Sequence, residues 1–238
     1  MSERHVGFWR RIRLTPTQWA VQADVEDDYH CMSVVVHHDG EKAVRIVPAM
    51  HRAPWSTCPG AEEYLVQTFT GVALAQFPER GEKKANCTHL YDMAILAAGH
   101  AADKAQTIYD ILVSDPVDNV RYAEIRCNDA SLLSWVESGF QLVKPESAAG
   151  IRLDKLRFWI DTLDPALREP ARLLQWGNIL ANGRLYPLAR HTEADALKMP
   201  PNCYTFQPER AAIAKRIGEI RDFSKRTDQP LDECKTIV

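Results

Sequence analysis

The sequence has no glycine-rich phosphate loop, no G-x-S-x-G elbow and no H-E-x-x-H motif. Nucleotide hydrolysis, serine-esterase chemistry and zincin-type proteolysis each rest on one of these arrangements and are disfavoured. It also has no C-x-x-C pair. Its six cysteines, Cys31, Cys58, Cys87, Cys127, Cys203 and Cys234, are irregularly spaced. In a reducing compartment they read as free thiols, most of them acting as small buried hydrophobes. Long apolar runs are missing as well. The stretch 93–99 is among the longest and is far too short to span a bilayer. The N-terminus carries charge with no apolar run behind it, so no signal peptide is expected. No excess of positive charge is present: the formal net charge is −3. Nothing in that balance attracts a phosphate backbone, so nucleic acid is not an expected partner. Together these absences point to a cytoplasmic protein with neither membrane nor nucleic-acid partners. No internal repeat or low-complexity tract occurs.

What remains is ordinary globular composition: 238 residues, 45% hydrophobic and 26% charged. That length suits one large domain, or one domain with an appended helical region. In residues 18–26, Trp19, Val21, Ala23 and Val25 alternate with Gln22, Asp24 and Glu26, the pattern of a half-buried strand. Apolar β-branched runs at 31–37 and 43–47 flank Asp39-Gly40, a strong hairpin signal. Pro48, Pro54 and Pro59 then impose a loop, and residues 62–77 read as a helix ended by Pro78 and Gly81. A second helix, rich in small residues, starts near Asn86 or Thr88. Strand signals return at 107–113, 121–127 and 132–143. Asp164-Pro165 caps a helix running to Asn182-Gly183, and Pro208 opens a last helix with Ile213, Ile217 and Ile220 on one stripe. The fold class is therefore α+β: an antiparallel sheet, compatible with strong curvature, with packed helices. Residues 1–150 form the sheet and its helices, and 151–238 a helical C-terminal region packed on that core, with a flexible joint at 147–150.

Three places could carry chemistry. Cys87 and His89 flank Thr88 at the start of the second helix, where the helix dipole favours a thiolate. Asp92 lies three residues beyond His89, within reach to orient its imidazole. The second place is Asp27-Asp28-Tyr29-His30-Cys31-Met32, where a histidine stands among acids and a tyrosine. The third is Cys58-Pro59-Gly60, in the proline-rich loop. Two cysteines and two histidines can complete a tetrahedral zinc shell, so His30, Cys58, Cys87 and His89 are also a candidate metal set. Arg121 and Arg126 read as a solvated strand face, His37-His38 as exposed, and Trp135, Trp159 and Trp176 as core.

The ordered set His30-x-Met32, Ala53-Pro54-Trp55, Cys58-Pro59-Gly60-Ala61, Thr70-Gly71-Val72 and Asn86-Cys87-Thr88-His89-Leu90 resembles a bacterial family catalogued as domain of unknown function 2889. The resemblance is closest over residues 10–105. It implies bacterial origin and an intracellular setting, with His30, Cys58, Cys87 and His89 as recurring polar positions. It carries no catalytic assignment. Asn86 departs from the small residue, usually glycine, expected before the Cys-Thr-His-Leu tetrad.

The functional expectation is a small-molecule enzyme, a lyase or hydrolase that uses no organic cofactor. His30, Cys87, His89 and Asp92 are its candidate catalytic groups. Tyr29, Trp55 and Tyr64 are candidate contacts for an apolar or aromatic substrate. The alternative is a structural-zinc or ligand-binding protein without catalysis. Homo-oligomerisation is left open.

Overall fold

The computed structural model describes residues 6–186 and 188–234. Residues 1–5, part of the segment read for a signal peptide, lie outside the described residues. Eight strands are formed: β1 (Gly7–Pro16), β2 (Ala20–Asp27), β3 (Cys31–His38), β4 (Ala43–Arg52), β5 (Thr107–Ser114), β6 (Val120–Cys127), β7 (Ala130–Ser138) and β8 (Gln141–Lys144). They make one open antiparallel sheet in the order β4-β3-β2-β1-β5-β6-β7-β8. The helices are α1 (Ala61–Phe69), α2 (Thr88–Gly99), α3 (Arg157–Ile160), α4 (Pro165–Ala181) and α5 (Pro208–Ala211). The α+β class is as the sequence implies. None of these helices is long and apolar enough to cross a membrane.

The chain divides into two compact units. One holds residues up to Arg11, Ile108–Leu188 and Asp222–Pro230; the other holds Ile12–Thr107, Ala189–Arg221 and the chain from Leu231 onward. The C-terminal segment contributes to both units.

Strand β1 went unrecognised in the sequence. Phe8, Ile12 and Leu14 are buried, and so is Arg10 between them. The guanidinium of Arg10 sits 4.0 Å from the centre of the Trp176 ring. A cation in the apolar register, stabilised by an aromatic face, conceals the period-two pattern.

In the unit that holds β2, β3 and β4, helix α2 packs on β2 and β3, and α1 packs on β4. The Asp39-Gly40 turn forms as expected: Asp39 Oδ1 accepts the N–H groups of Glu41 and Lys42, both at 2.9 Å, and Gly40 has φ +102°. Strand β2 corrects the half-buried expectation. Gln22, Asp24 and Glu26 are buried, whereas Trp19 is exposed. The polar residues satisfy one another or meet arginines. Gln22 donates to Asp24 at 2.7 Å, and Arg13 holds Asp24 at 2.8 Å. His38, read as exposed, is buried.

Helix α1 ends at Phe69 rather than near residue 77. Gly71 takes φ +80°, and Leu74–Glu79 form a separate short 3-10 helix that contains Pro78. Expected helix is lost again near the C-terminus. Only Pro208–Ala211 is helical there, and Ile213 and Ile217 are 65% and 61% exposed. Beyond Ala211 the chain turns and then passes beside the proline loop, with Trp55 bridged to Arg216 and the Ile217 N–H donating to Pro54 O at 3.1 Å.

In the other unit α4 lies on β6 and β7. Asp164 caps it by accepting the Ala166 N–H at 2.9 Å, with Pro165 in the first turn. Trp135 and Trp159 are buried as expected, and Trp135 Nε1 donates to Asn178 at 2.7 Å. Arg121 is not on a solvated face. It is buried, donates to Asn182 at 2.9 Å and lies 3.5 Å from Glu137.

Candidate functional site

The turn from β2 to β3 is built on one carboxylate. Asp27 Oδ1 accepts the backbone N–H groups of Tyr29 at 2.8 Å and His30 at 2.9 Å. An aspartate that bonds its own backbone two residues on locks a tight turn. The same oxygen lies 3.0 Å from His30 Nδ1, and Oδ2 lies 3.4 Å from it. Asp27 is fully buried. Arg52, at the end of β4, closes the turn from outside. Its guanidinium donates to the carbonyls of Asp27 at 2.6 Å, His30 at 3.2 Å and Asp28 at 3.0 Å. The His30 ring is therefore held both by its backbone and by a charge.

His89 comes from the first turn of α2. Cys87, in extended conformation, is the residue at which that helix begins. Packing of α2 on β2 and β3 brings His89 against His30, with ring centroids 3.9 Å apart and planes inclined by 31°. Tyr29 meets His30 edge-on at 6.1 Å. Among the described residues, Asp27, His30 and His89 form the group of three whose potential ligand atoms all lie within 4.8 Å of one another.

The two cysteines of the sequence-derived set are not in that group. Cys87 is buried, and burial pushes its thiol up to about 12, reinforced by the nearby Cys58 and Cys203. The N–H groups of Leu90 and His89 pull the other way and lose. The helix terminus thus does not make Cys87 a thiolate near neutral pH. Burial likewise lifts Cys58 to about 11, against the hydroxyl of Thr205, which donates to its sulfur at 3.3 Å. Asp92 is ion-paired with Lys83 at 2.6 Å. Asp27 is the carboxylate held against His30, and sequence spacing did not single it out because its partner is three residues away in a turn rather than on a helix.

The three aromatic candidates have different surroundings. Tyr29 stands beside His30. Trp55 is buried with Ala194 and Ala214 and is covered by Arg216, 4.4 Å from its ring centre. Tyr64 is partly exposed and lines a surface cleft of about 480 Å³ with Lys84, Gln207 and Arg210. Tyr204 meets it edge-on at 5.3 Å, and the Arg210 guanidinium covers Tyr204 at 4.0 Å.

Asn86, the departure noted before the tetrad, has φ −98°, so no left-handed turn requires it. It is buried, donates to Thr68 Oγ1 at 3.0 Å and accepts the Tyr204 N–H through its backbone carbonyl at 2.8 Å. Its role is to fasten the start of α2 to α1 and to the segment around Tyr204. No family model matches the chain and no curated protein matches it, so the family resemblance rests on the motif residues alone.

Proposed function

We propose that this protein is a small-molecule enzyme of the lyase or hydrolase class, in which Asp27, His30 and His89 carry proton transfer on an apolar or aromatic substrate. The observation that supports this is the pairing of a carboxylate-held imidazole with a second imidazole 3.9 Å away. With Nδ1–H donated to Asp27, His30 presents Nε2 as a base, the orientation that a buried carboxylate gives a catalytic histidine. The two rings are close enough for one to accept a proton while the other donates. Tyr29 supplies an aromatic wall beside the pair. Cys87 and Cys58, held as thiols, take no nucleophilic part in this reading.

A divalent cation is the second reading, because two imidazoles and one carboxylate within 4.8 Å form a donor set suited to zinc, manganese or iron(II). The close approach of the ring centroids, 3.9 Å, weighs against it, since imidazoles on one ion point their nitrogens inward and splay their rings apart. Bacterial origin and membership of the family named above accompany this proposal as inferences from the motif residues.

The test is a turnover screen with aryl esters and aromatic β-hydroxy carbonyl compounds, run on the wild type and on His30→Ala. The proposal expects turnover that falls about 100-fold or more in His30→Ala, without dependence on added zinc or inhibition by chelators. Equal turnover in both proteins would remove His30 from the chemistry. Turnover that requires added metal would favour the cation.

A further inference from the structure

Along β2 the buried polar residues make a second layer. Glu26 is bound by Arg52 at 3.1 Å, Arg221 at 3.2 Å and the Leu231 N–H at 2.7 Å. Arg13, which holds Asp24, also donates to the Cys234 carbonyl at 3.0 Å. These bonds seat residues 231–234 against the sheet. Glu26 is in turn the register partner of Cys31 across β2 and β3. The consequence is that two cysteines distant in sequence come to the same place. Cys31 and Cys234 both line a cavity of about 350 Å³ together with His51, Arg52 and Arg221.

We propose that Cys31 and Cys234 are a redox-active thiol pair that closes to an intrachain disulfide when a small peroxide enters this cavity. The roles of the two sulfurs are unequal. The neighbouring Cys31 side chain, helped by Ser33 and Arg13, holds Cys234 down to about 7 against its burial, whereas Cys31 is the more deeply buried of the two. Cys234 is thus the better thiolate and the first to react. Its sulfur attacks one oxygen of hydrogen peroxide, the O–O bond breaks, and the departing hydroxide leaves as water after taking a proton. Cys234 is then a sulfenic acid. The Cys31 sulfur attacks that of Cys234, the S–O bond breaks, and the leaving hydroxide carries off the Cys31 proton as a second water. Two thiols have lost two electrons, and one peroxide has been reduced to two waters. This site stands apart from the enzyme reading and does not depend on it. The disulfide would fix residues 231–234 over β2 and β3 and wall off one side of the cavity.

The experiment exposes the full chain to about one equivalent of hydrogen peroxide, blocks remaining thiols by alkylation and maps the digest by mass spectrometry. The expected product is a peptide pair linked through Cys31 and Cys234, lighter by about two mass units than its reduced parts and released by dithiothreitol. In Cys31→Ser the link is absent, and dimedone marks Cys234 as the sulfenic acid. In Cys58→Ser the link persists. Recovery of Cys31 and Cys234 as alkylated thiols at doses that oxidise other cysteines would overturn the proposal. So would a link from Cys234 to any other cysteine. If Cys31→Ser fails to fold, the wild-type map decides alone.

Discussion

The His30 and His89 rings lie 3.9 Å apart although they are 59 positions apart in the chain, the difference between 89 and 30. One ring rides on a turn locked by Asp27 and the other on the first turn of α2. The contact exists because α2 packs across β2 and β3.

Replacing Asp27 separates its two duties. Asp27→Asn keeps an oxygen for the Tyr29 and His30 N–H groups but removes the charge beside Nδ1. Once a turnover assay exists, kcat should fall about 100-fold while KM changes little. Asp27→Ala should in addition cost about 1–3 kcal/mol of stability, because two buried N–H groups lose their acceptor. Thermal unfolding of the two variants separates the effects.

Asn86 should matter for stability and not for chemistry. Asn86→Ala leaves Thr68 Oγ1 and the Glu82 carbonyl without its amide, and a loss of about 1–2 kcal/mol is expected by denaturant unfolding. Asn86→Gly should lose at least as much, since φ −98° gives glycine no advantage.

Much of the sheet could be read from the sequence. The Asp39-Gly40 hairpin and the runs that became β5, β6 and β7 carry their turn residues and alternation in plain form. Strand β1 did not, because Arg10 occupies an apolar position, where it lies over the Trp176 ring. The polar face of β2 looked solvated because its burial depends on Arg13, Arg52 and Arg221, which lie elsewhere in the chain. Of the candidate site, the histidines at 30 and 89 were legible as types in context and do meet. Asp27 was passed over in favour of Asp92, since helical spacing is visible in a sequence and a side chain folding back on its own turn is not. The raised Cys87 thiol was also hidden: the helix terminus is local, whereas the burial that outweighs it is tertiary.

The raised thiols at Cys87 and Cys58 give a direct readout. In the folded protein at pH 7 both should react with a maleimide at least about tenfold more slowly than Cys234, as burial suppresses the thiolate. Timed alkylation followed by peptide mapping measures this. Fast labelling of Cys87 would restore its candidacy as a nucleophile.

In the unit that holds α4, Asp222 predicts a pH dependence. Burial alone would raise its carboxyl, but bonds from Ser224, Lys225 and Arg184 outweigh it and hold it well below the ordinary 3.8. A depressed carboxylate adds stability above its unfolded value, and the gain disappears as pH falls through that range towards the folded value. Asp222→Asn should therefore be less stable than wild type by about 1–2 kcal/mol at pH 7, and the gap should narrow as pH drops below 3.8. Urea unfolding at a series of pH values checks the sign.

Gly218 is required by space. A Cβ there would run into the Ala53 carbonyl, whose carbon would be 2.9 Å away, and backbone cannot swing aside as a flexible side chain can. Gly218→Ala should cost about 1–3 kcal/mol, measured by thermal unfolding.

The central claim is that Asp27 fixes the tautomer of His30 beside His89. Nitrogen-15 NMR of the imidazoles in the neutral state tests it most directly. The account predicts His30 with its proton on Nδ1 and a bare Nε2, and loss of that preference in Asp27→Asn. A His30 protonated on Nε2 in the wild type, unchanged by Asp27→Asn, would contradict it.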